Sequence, residues 1–226
     1  MRQPAKHTSS TTNPDAWLAW RRGSVVTAVL ASSLLLGACT TTTTLHYDLK
    51  APPQAAVANL NPKLVNYRIN SITVPEPIDA MPLMVRQPDN TLMVLSHDKW
   101  VAPLGQVMTQ ALTNGLSQAL GVPPLPSQMT AGGNDPKVAT LTVDVREFDM
   151  QPAKQATLSA LWQVRTPAPA SVAITCYSTL SQPVARGVAA LVTAQQINVS
   201  KLSQQMASVI ATTTPVDGAR CQTVAP

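Results

Sequence analysis

The sequence predicts an α/β sandwich of the α+β type, in which a mixed, mostly antiparallel sheet packs against two long helices. Segments between residues 66 and 180 are rich in β-branched side chains or alternate apolar with polar ones, as half-buried strands do. Residues 103–120 and 188–212 repeat apolar side chains at helical spacing. Short connections between the later strands favour an antiparallel meander.

The first strands lie before residue 100. Asn66–Val74 is rich in β-branched residues and is followed by Pro75, which ends a strand. Residues 82–96 contain two apolar runs that flank Gln87–Asn90, a sequence typical of a turn. We therefore expect a strand at Asn66–Val74 and a β-hairpin over residues 82–96.

Three further strands are expected at residues 137–150, 156–166 and 171–180. The first two alternate clearly, and their predicted inward positions are Ala139, Leu141, Val143, Val145, Leu158, Ala160, Trp162 and Val164. The turns between these strands contain proline. This part of the chain therefore predicts the sheet's central meander.

The first predicted helix begins after Pro103 and ends at Gly121, which suit the start and the stop of a helix. Its polar face carries only Gln, Thr, Asn and Ser, so it has no charge. A neutral face is easy to desolvate and could contact another protein, although such faces are also commonly solvated. The second helix is expected at residues 188–212, and the tail after it looks irregular unless Cys221 is held by a disulfide.

The N-terminal segment has the features of a bacterial lipoprotein signal peptide. A short apolar run follows Arg21-Arg22 and ends at Leu36-Gly37-Ala38-Cys39, a leucine and two small residues before cysteine. The prediction is a signal peptide over residues 1–38, cleaved between Ala38 and Cys39. The Cys39 thiol would carry diacylglycerol, with further acyl chains such as palmitate on the new N-terminus. The alternatives are an ordinary secreted protein cleaved near Ala38 and, from the arginine pair, a twin-arginine signal.

The mature chain is then a short tether followed by one domain. Residues 39–46 form the lipidated cysteine and a threonine-rich polar tether, and residues 47–226 form a single periplasmic domain. Residues 51–62 are rich in Pro and Ala and are expected to be extended surface chain. The lipid on Cys39 is the only non-protein group expected, and no cofactor is predicted.

The net charge of the mature chain argues against one functional class, and its cysteine content predicts a disulfide. Four of the 16 basic residues and one of the 11 acidic residues lie ahead of Cys39, so the net charge of the mature chain is about +2. It contains no basic stripe with interleaved aromatics, which argues against nucleic-acid binding. In an oxidising periplasm Cys176 and Cys221 are expected to form a disulfide, and two free thiols are the alternative.

No catalytic, cofactor-binding or metal-binding residues are predicted. The mature chain has only His46, in the tether, and His97, which with Asp98 is expected to form an exposed loop pair. Glu147 and Asp149 share one side of a strand, where solvated charge is the expected state. A nucleophile elbow and a phosphate-binding glycine loop are both absent from the sequence. We therefore expect that the protein is not an enzyme.

The order of several short motifs resembles a known family. The motifs are the Cys39 lipobox, Tyr47-Asp48-Leu49, Ile72–Pro75, Pro77-Ile78-Asp79, Leu83–Arg86, Trp100–Leu104, Leu141–Asp149, Leu158–Trp162 and Gly187–Ala194. Together they resemble the ABC-type transport auxiliary lipoproteins, the family of the paraquat-inducible protein C type. The similarity covers nearly the whole mature chain.

The resemblance implies a periplasmic lipoprotein that assists a lipid-transport system of the MCE/ABC type and maintains envelope integrity. Its partner would be an MCE-domain transporter subunit, contacted by docking rather than by catalysis. Thr40 after the cysteine fits sorting to the periplasmic face of the outer membrane, with the inner membrane as the less favoured site. A homo-oligomeric ring is a further expectation. The alternative is a periplasmic lipoprotein that itself binds a small apolar ligand or lipid.

Overall fold

The computed structural model describes residues 42–50, 66–126, 138–167 and 172–224. The chain divides into two compact units, residues 1–42 and 43–226, and the elements below belong to the second. Ala38 and Cys39, with the rest of the predicted signal peptide, lie outside the described residues. So does the predicted surface chain at residues 51–62.

The larger sheet has five strands. They are β2 (Tyr67–Thr73), β5 (Ala139–Gln151), β6 (Gln155–Arg165), β7 (Ala173–Pro183) and β8 (Ala219–Val224), in the spatial order β2-β5-β6-β7-β8. β2 pairs with β5 in parallel, and the other three pairings are antiparallel. The predicted meander is confirmed, and every predicted inward position of its first two strands is buried.

The smaller sheet has three strands in the order β1-β4-β3. They are β1 (Leu45–Tyr47), β3 (Pro82–Arg86) and β4 (Leu92–Trp100). The β3–β4 hairpin is confirmed, and β1 pairs with β4 in parallel. The strands therefore form two sheets, whereas a single sheet was expected, and Leu45 and His46 of the predicted tether lie in β1.

Two helices complete the described part of the fold, at the predicted positions. They are α1 (Leu104–Leu120) and α2 (Val188–Thr212), with a short 3-10 helix at Glu76–Ile78. α1 ends at Gly121, whose φ of 72° is in the left-handed region that glycine adopts readily. Both helices contact the five-stranded sheet, α1 at β2 and α2 mainly at β6 and β7, and they also pack against each other. The predicted fold class is therefore confirmed.

α1 and α2 approach closely at Gly115. An added Cβ there would overlap Oγ of Ser203 and lie 2.8 Å from its Cβ, well inside normal contact distances. Ser203 is fully buried, and its hydroxyl donates to the Val199 carbonyl oxygen at 2.9 Å. Glycine at position 115 therefore allows the two helices to pack at this distance.

Replacing Gly115 with alanine is expected to lower the free energy of unfolding by about 1–2 kcal/mol, since overpacking outweighs the gain in helix propensity. Urea unfolding measures the loss. In the background of Ser203→Gly, which removes both clashing atoms, the same substitution should cost little. An equal cost in both backgrounds would contradict the close-packing explanation.

The chain beyond α2 adds the edge strand β8, whereas the sequence had suggested an irregular tail unless a disulfide held Cys221. Cys176 of β7 lies directly opposite Cys221 of β8, with 4.0 Å between their Cα atoms, and the two form a disulfide. Cys176 is fully buried. The covalent bond thus joins β8 to the buried part of the sheet.

Two buried amide side chains of α2 connect this helix to the β5–β6 hairpin. Nε2 of Gln195 donates to the carbonyl oxygens of Asp149 at 2.9 Å and Thr157 at 3.1 Å. Nδ2 of Asn198 donates to the Ala156 carbonyl oxygen at 3.0 Å and to Oε1 of Gln195 at 3.2 Å. Both side chains are fully buried, so they satisfy main-chain acceptors that water cannot reach.

Candidate functional site

A groove of about 860 Å³ lies between α1 and the edge strand β2. Its α1 wall includes Thr109, Gln110, Thr113 and Asn114, and its β2 side includes Ile72–Val74. The volume is within the range of small-molecule sites. This is the neutral polar face of α1 that the sequence predicted, now placed beside a sheet edge.

The position of β2 makes the groove accessible to a partner. β2 is the last strand of its sheet in the described part of the chain, so no further described strand covers its outer edge. Extended segments of other proteins commonly dock at such edges. The neutral amides and hydroxyls of α1 can donate and accept hydrogen bonds, and they cost less to desolvate than charged groups do. The groove is therefore better suited to a polypeptide than to an apolar lipid chain.

The charged side chain that lines the groove, Asp79, is engaged in capping α1. Its Oδ1 accepts a hydrogen bond from the Gly105 main-chain nitrogen at 2.7 Å. Pro103 occupies the N-cap position and makes no side-chain capping bond, so the acceptor comes from a separate segment. A Cβ at Gly105 would lie 3.1 Å from Asp79 Oδ2, and the absence of a side chain there allows this approach.

Replacing Asp79 with alanine is expected to lower the free energy of unfolding by about 1 kcal/mol, because the first turn of α1 loses its acceptor. Asp79→Asn keeps an acceptor oxygen and should lose less. Urea unfolding of both variants measures the difference, and hydrogen exchange at Gly105 should accelerate in Asp79→Ala. Equal stability of Asp79→Ala and the parent would contradict a capping role.

Charges next to the groove compensate each other. The Thr73 hydroxyl donates to Oδ1 of Asp144 at 3.2 Å, and the other oxygen of Asp144 lies 2.6 Å from Nη2 of Arg146. Because this ion pair is largely exposed, it adds little to stability. It leaves the neighbourhood of β2 without a dominant charge.

The structure corrects the expected state of the carboxylate pair. Asp149 is buried, and its Oδ1 lies 2.7 Å from Nε of Arg86 while its Oδ2 accepts from Gln151 at 2.8 Å. Glu147 is exposed and accepts from the Ser159 hydroxyl at 3.0 Å. Asp149 is therefore not a solvated charge, because β3 brings Arg86 against it. The carboxylates have structural partners rather than the arrangement of an acid–base pair.

His97 and Asp98 lie within β4, not in a loop as expected. Oδ1 of Asp98 accepts a hydrogen bond from the Tyr47 hydroxyl at 2.9 Å, which joins β1 to β4. Burial, this hydrogen bond and the negative charge of Asp98 raise the pKa of Tyr47. Burial also raises the pKa of Tyr67, against the opposing effect of a hydrogen bond with Ser117. Both tyrosines therefore stay neutral at ordinary pH.

Metal ligation and membrane crossing find no support in the described residues. Among them, no group of three or more His, Cys, Asp or Glu side chains is placed to hold a metal ion. No helix in the described ranges has the length and apolar character needed to cross a membrane.

Sequence reasoning missed Asp79 and the edge position of β2. The start of α1 did contain a signal, because Pro103 has no side chain that can cap a helix, so an acceptor for the first turn had to come from another segment or from water. The edge position had no local signal, since it depends on which strand pairs with β5. The groove could be anticipated only on its α1 side.

Solved structures with the same fold are known. The chain is similar to a crystal structure of an uncharacterized protein, with 18% identity, a TM-score of 0.58, and coverage of 74% of this chain and 99% of that one. It is also similar to a Xanthomonas campestris protein of the DUF330 family, with 15% identity, a TM-score of 0.56, and coverage of 74% and 95%. No curated protein is significantly similar to the chain.

The strongest comparison covers most of the domain. A family model for the ABC-type transport auxiliary lipoprotein component matches residues 47–207. This range includes both helices for most of their length and every strand of the five-stranded sheet except β8. The resemblance noted in the sequence is therefore confirmed, and the chain belongs to the family of ABC-type transport auxiliary lipoproteins.

Proposed function

We propose that the protein is a lipid-anchored docking component of an MCE/ABC-type lipid-transport system that maintains envelope integrity, and that it acts by binding rather than by catalysis. Family membership over residues 47–207 is the observation that carries the proposal. In this proposal Cys39 carries the lipid, and Thr40 directs the protein to the periplasmic face of the outer membrane. The partner is the MCE-domain subunit of the transporter, and a homo-oligomeric ring is one form in which the domain could present its surface.

The groove between α1 and β2 is the proposed docking site. Its neutral wall residues, Gln110 and Thr113, can be desolvated without leaving an unpaired charge. The Asp79 carboxylate is held against the Gly105 main-chain nitrogen at the start of α1, and the other side chains that line the groove are uncharged. These properties favour a polypeptide partner over a small apolar ligand, for which a groove lined with Thr, Gln and Asn offers few matching contacts.

Crosslinking in the envelope tests the partner directly. A photo-crosslinking residue at Gln110 should form an adduct with the MCE-domain subunit, whereas the same residue at the exposed Gln204 of α2 should not. The absence of an adduct at Gln110, with the transporter present, would argue against docking at the groove.

Affinity measurements test the chemistry of the groove. Gln110→Glu would bury a charge on docking and should weaken binding of the subunit about tenfold or more, since 1.4 kcal/mol corresponds to a factor of ten. Gln204→Glu adds the same charge outside the groove and is the matched control. Equal weakening by both variants would indicate a general charge effect instead of a specific contact.

A further inference from the structure

The large apolar side chains exposed in the described ranges concentrate on the three-stranded sheet and its flanks. Three of them are consecutive at the start of β4: Leu92, Met93 and Val94 are 48%, 44% and 54% exposed. They lie just after the β3–β4 turn, so this hairpin end presents apolar side chains on both of its faces. Consecutive exposed apolar side chains of this kind mark an interaction surface.

The hairpin end lies on the side from which the chain enters the sheet. β1 runs parallel to β4, and Leu45 lies opposite Asp98. The N-terminal ends of the two strands therefore point the same way. Residues before Leu45 approach the sheet from the end where Leu92–Val94 lies.

Chain length relates this end to the predicted lipid site. Cys39 is separated from Leu45 by six residue steps, which span at most about 21 Å when extended. Along β4, Leu92 lies six steps before Asp98, or about 20 Å. The distance from Leu45 to the hairpin end is therefore about equal to the greatest distance that the tether can span between Leu45 and Cys39.

We propose that Leu92, Met93 and Val94 rest in the interfacial region of the membrane that holds the Cys39 lipid. This inference depends on the lipid anchor of the proposed function. Apolar side chains at this depth add to the attachment that the acyl chains provide. Met81 and Val101, which lie beside the opposite end of β4, are not part of the contact.

The charges near the hairpin end are compatible with the headgroup region. The Asp89 carboxylate accepts hydrogen bonds from the main-chain nitrogen of Thr91 at 3.0 Å and from its hydroxyl at 2.7 Å, and these bonds lower the pKa of Asp89. Lys154 lines a cleft with the β3–β4 turn, and Arg86 in the same cleft is paired with Asp149. Among the described residues, Asp89 and Lys154 thus supply one charge of each sign beside the apolar side chains, so the contact is apolar in origin and should depend little on salt.

Quenching by brominated lipids tests the contact in the mature lipidated chain, purified and reconstituted in vesicles of phosphatidylethanolamine and phosphatidylglycerol. Met93→Trp places a fluorophore at the hairpin end, and Gln110→Trp places one on exposed α1 as the control. Trp100 and Trp162 are buried, and their background fluorescence and quenching are measured in the parent chain. We expect brominated acyl chains to reduce the fluorescence of the Met93→Trp residue but not that of the Gln110→Trp residue, with little change when salt is raised.

The possible failures can be told apart. If the parent chain does not float with the vesicles, both the lipid anchor and this contact are wrong. If it floats but the Met93→Trp residue is quenched no more than the control, only the membrane contact is overturned. Shielding of the Met93→Trp residue from acrylamide without quenching by brominated lipid would assign the surface to a contact with a second copy of this chain, and would also overturn the proposal.

Discussion

Replacing both Cys176 and Cys221 with alanine is expected to lower the free energy of unfolding by about 4 kcal/mol. The disulfide closes a loop with a sequence separation of 45 residues, and the entropy of that loop in the unfolded chain gives this magnitude. Alanine is preferred to serine because Cys176 is fully buried and a hydroxyl there would need a partner. Urea unfolding of the variant and of the parent measures the change.

The effect should be concentrated at β8. In the described part of the chain this strand is at the edge of the sheet and pairs with β7 alone, so without the disulfide it is held by one ladder of hydrogen bonds and by modest packing. In the variant, the main-chain amides of β8 should exchange with solvent well before those of β6. Reduction of the parent protein should reproduce this pattern. A loss below about 1 kcal/mol would show that the unfolded chain is already restricted without the bond.

Replacing Gln195 with leucine is the second substitution for which we expect a large effect, a loss of about 3 kcal/mol in the free energy of unfolding. The substitution removes the donor for the Asp149 and Thr157 carbonyl oxygens and the acceptor for Asn198. Each buried group left without a partner costs about 1–3 kcal/mol, and the apolar leucine recovers only part of the sum.

Gln204→Leu is the matched control, because it makes the same chemical change at an exposed position of the same helix. Its effect should stay within about 0.5 kcal/mol of the parent. The stability of both variants can be compared by urea unfolding under identical conditions. A similar, small effect at both positions would contradict a role for Gln195 in joining α2 to the β5–β6 hairpin.

The parts of the fold that sequence reasoning predicted are those whose pattern is local. α2 has the predicted limits, Val188–Thr212, because apolar spacing persists over the whole segment without proline. α1 is delimited by Pro103 and Gly121, and both residues act through backbone geometry that is independent of the rest of the fold. The strand alternation in β5 and β6 is similarly local.

Features that depend on distant contacts were missed or only partly predicted. β1 has three residues, too few to show an alternating pattern, and the intermediate positions of the six-residue β8, Ala219 and Cys221, carry only small side chains that give a weak signal. The burial of Asp149 depends on Arg86, which is 63 residues away in the sequence. A register shift in β5 between Val145 and Glu147 also exchanges the faces of the following residues, so Phe148 and Met150 become the buried apolar positions.

The candidate groove has one wall with a local sequence pattern and one wall that depends on distant contacts. The uncharged face of α1 is visible in the sequence as a stretch of Gln, Thr, Asn and Ser. The α1 face lies against β2 because the chain leaves β2, forms the small sheet, and returns to pair β5 with β2. The order of the elements in the sequence does not by itself determine this pairing. The sequence therefore indicated one wall of the groove, and the tertiary structure supplied the other.

The pairing of β1 with β4 determines how mechanical force would enter the domain. A pull on a lipid attached at Cys39 reaches the described fold first at Leu45, the start of a strand with three residues. Within β1, the hydrogen bond between Tyr47 and Asp98 resists the pull, and the fully buried Leu49 is the next point of resistance beyond the strand. Tension between the membrane and a bound transporter would therefore act on β1 before the five-stranded sheet, and detachment of β1 would lengthen the tether while the rest of the domain stays folded.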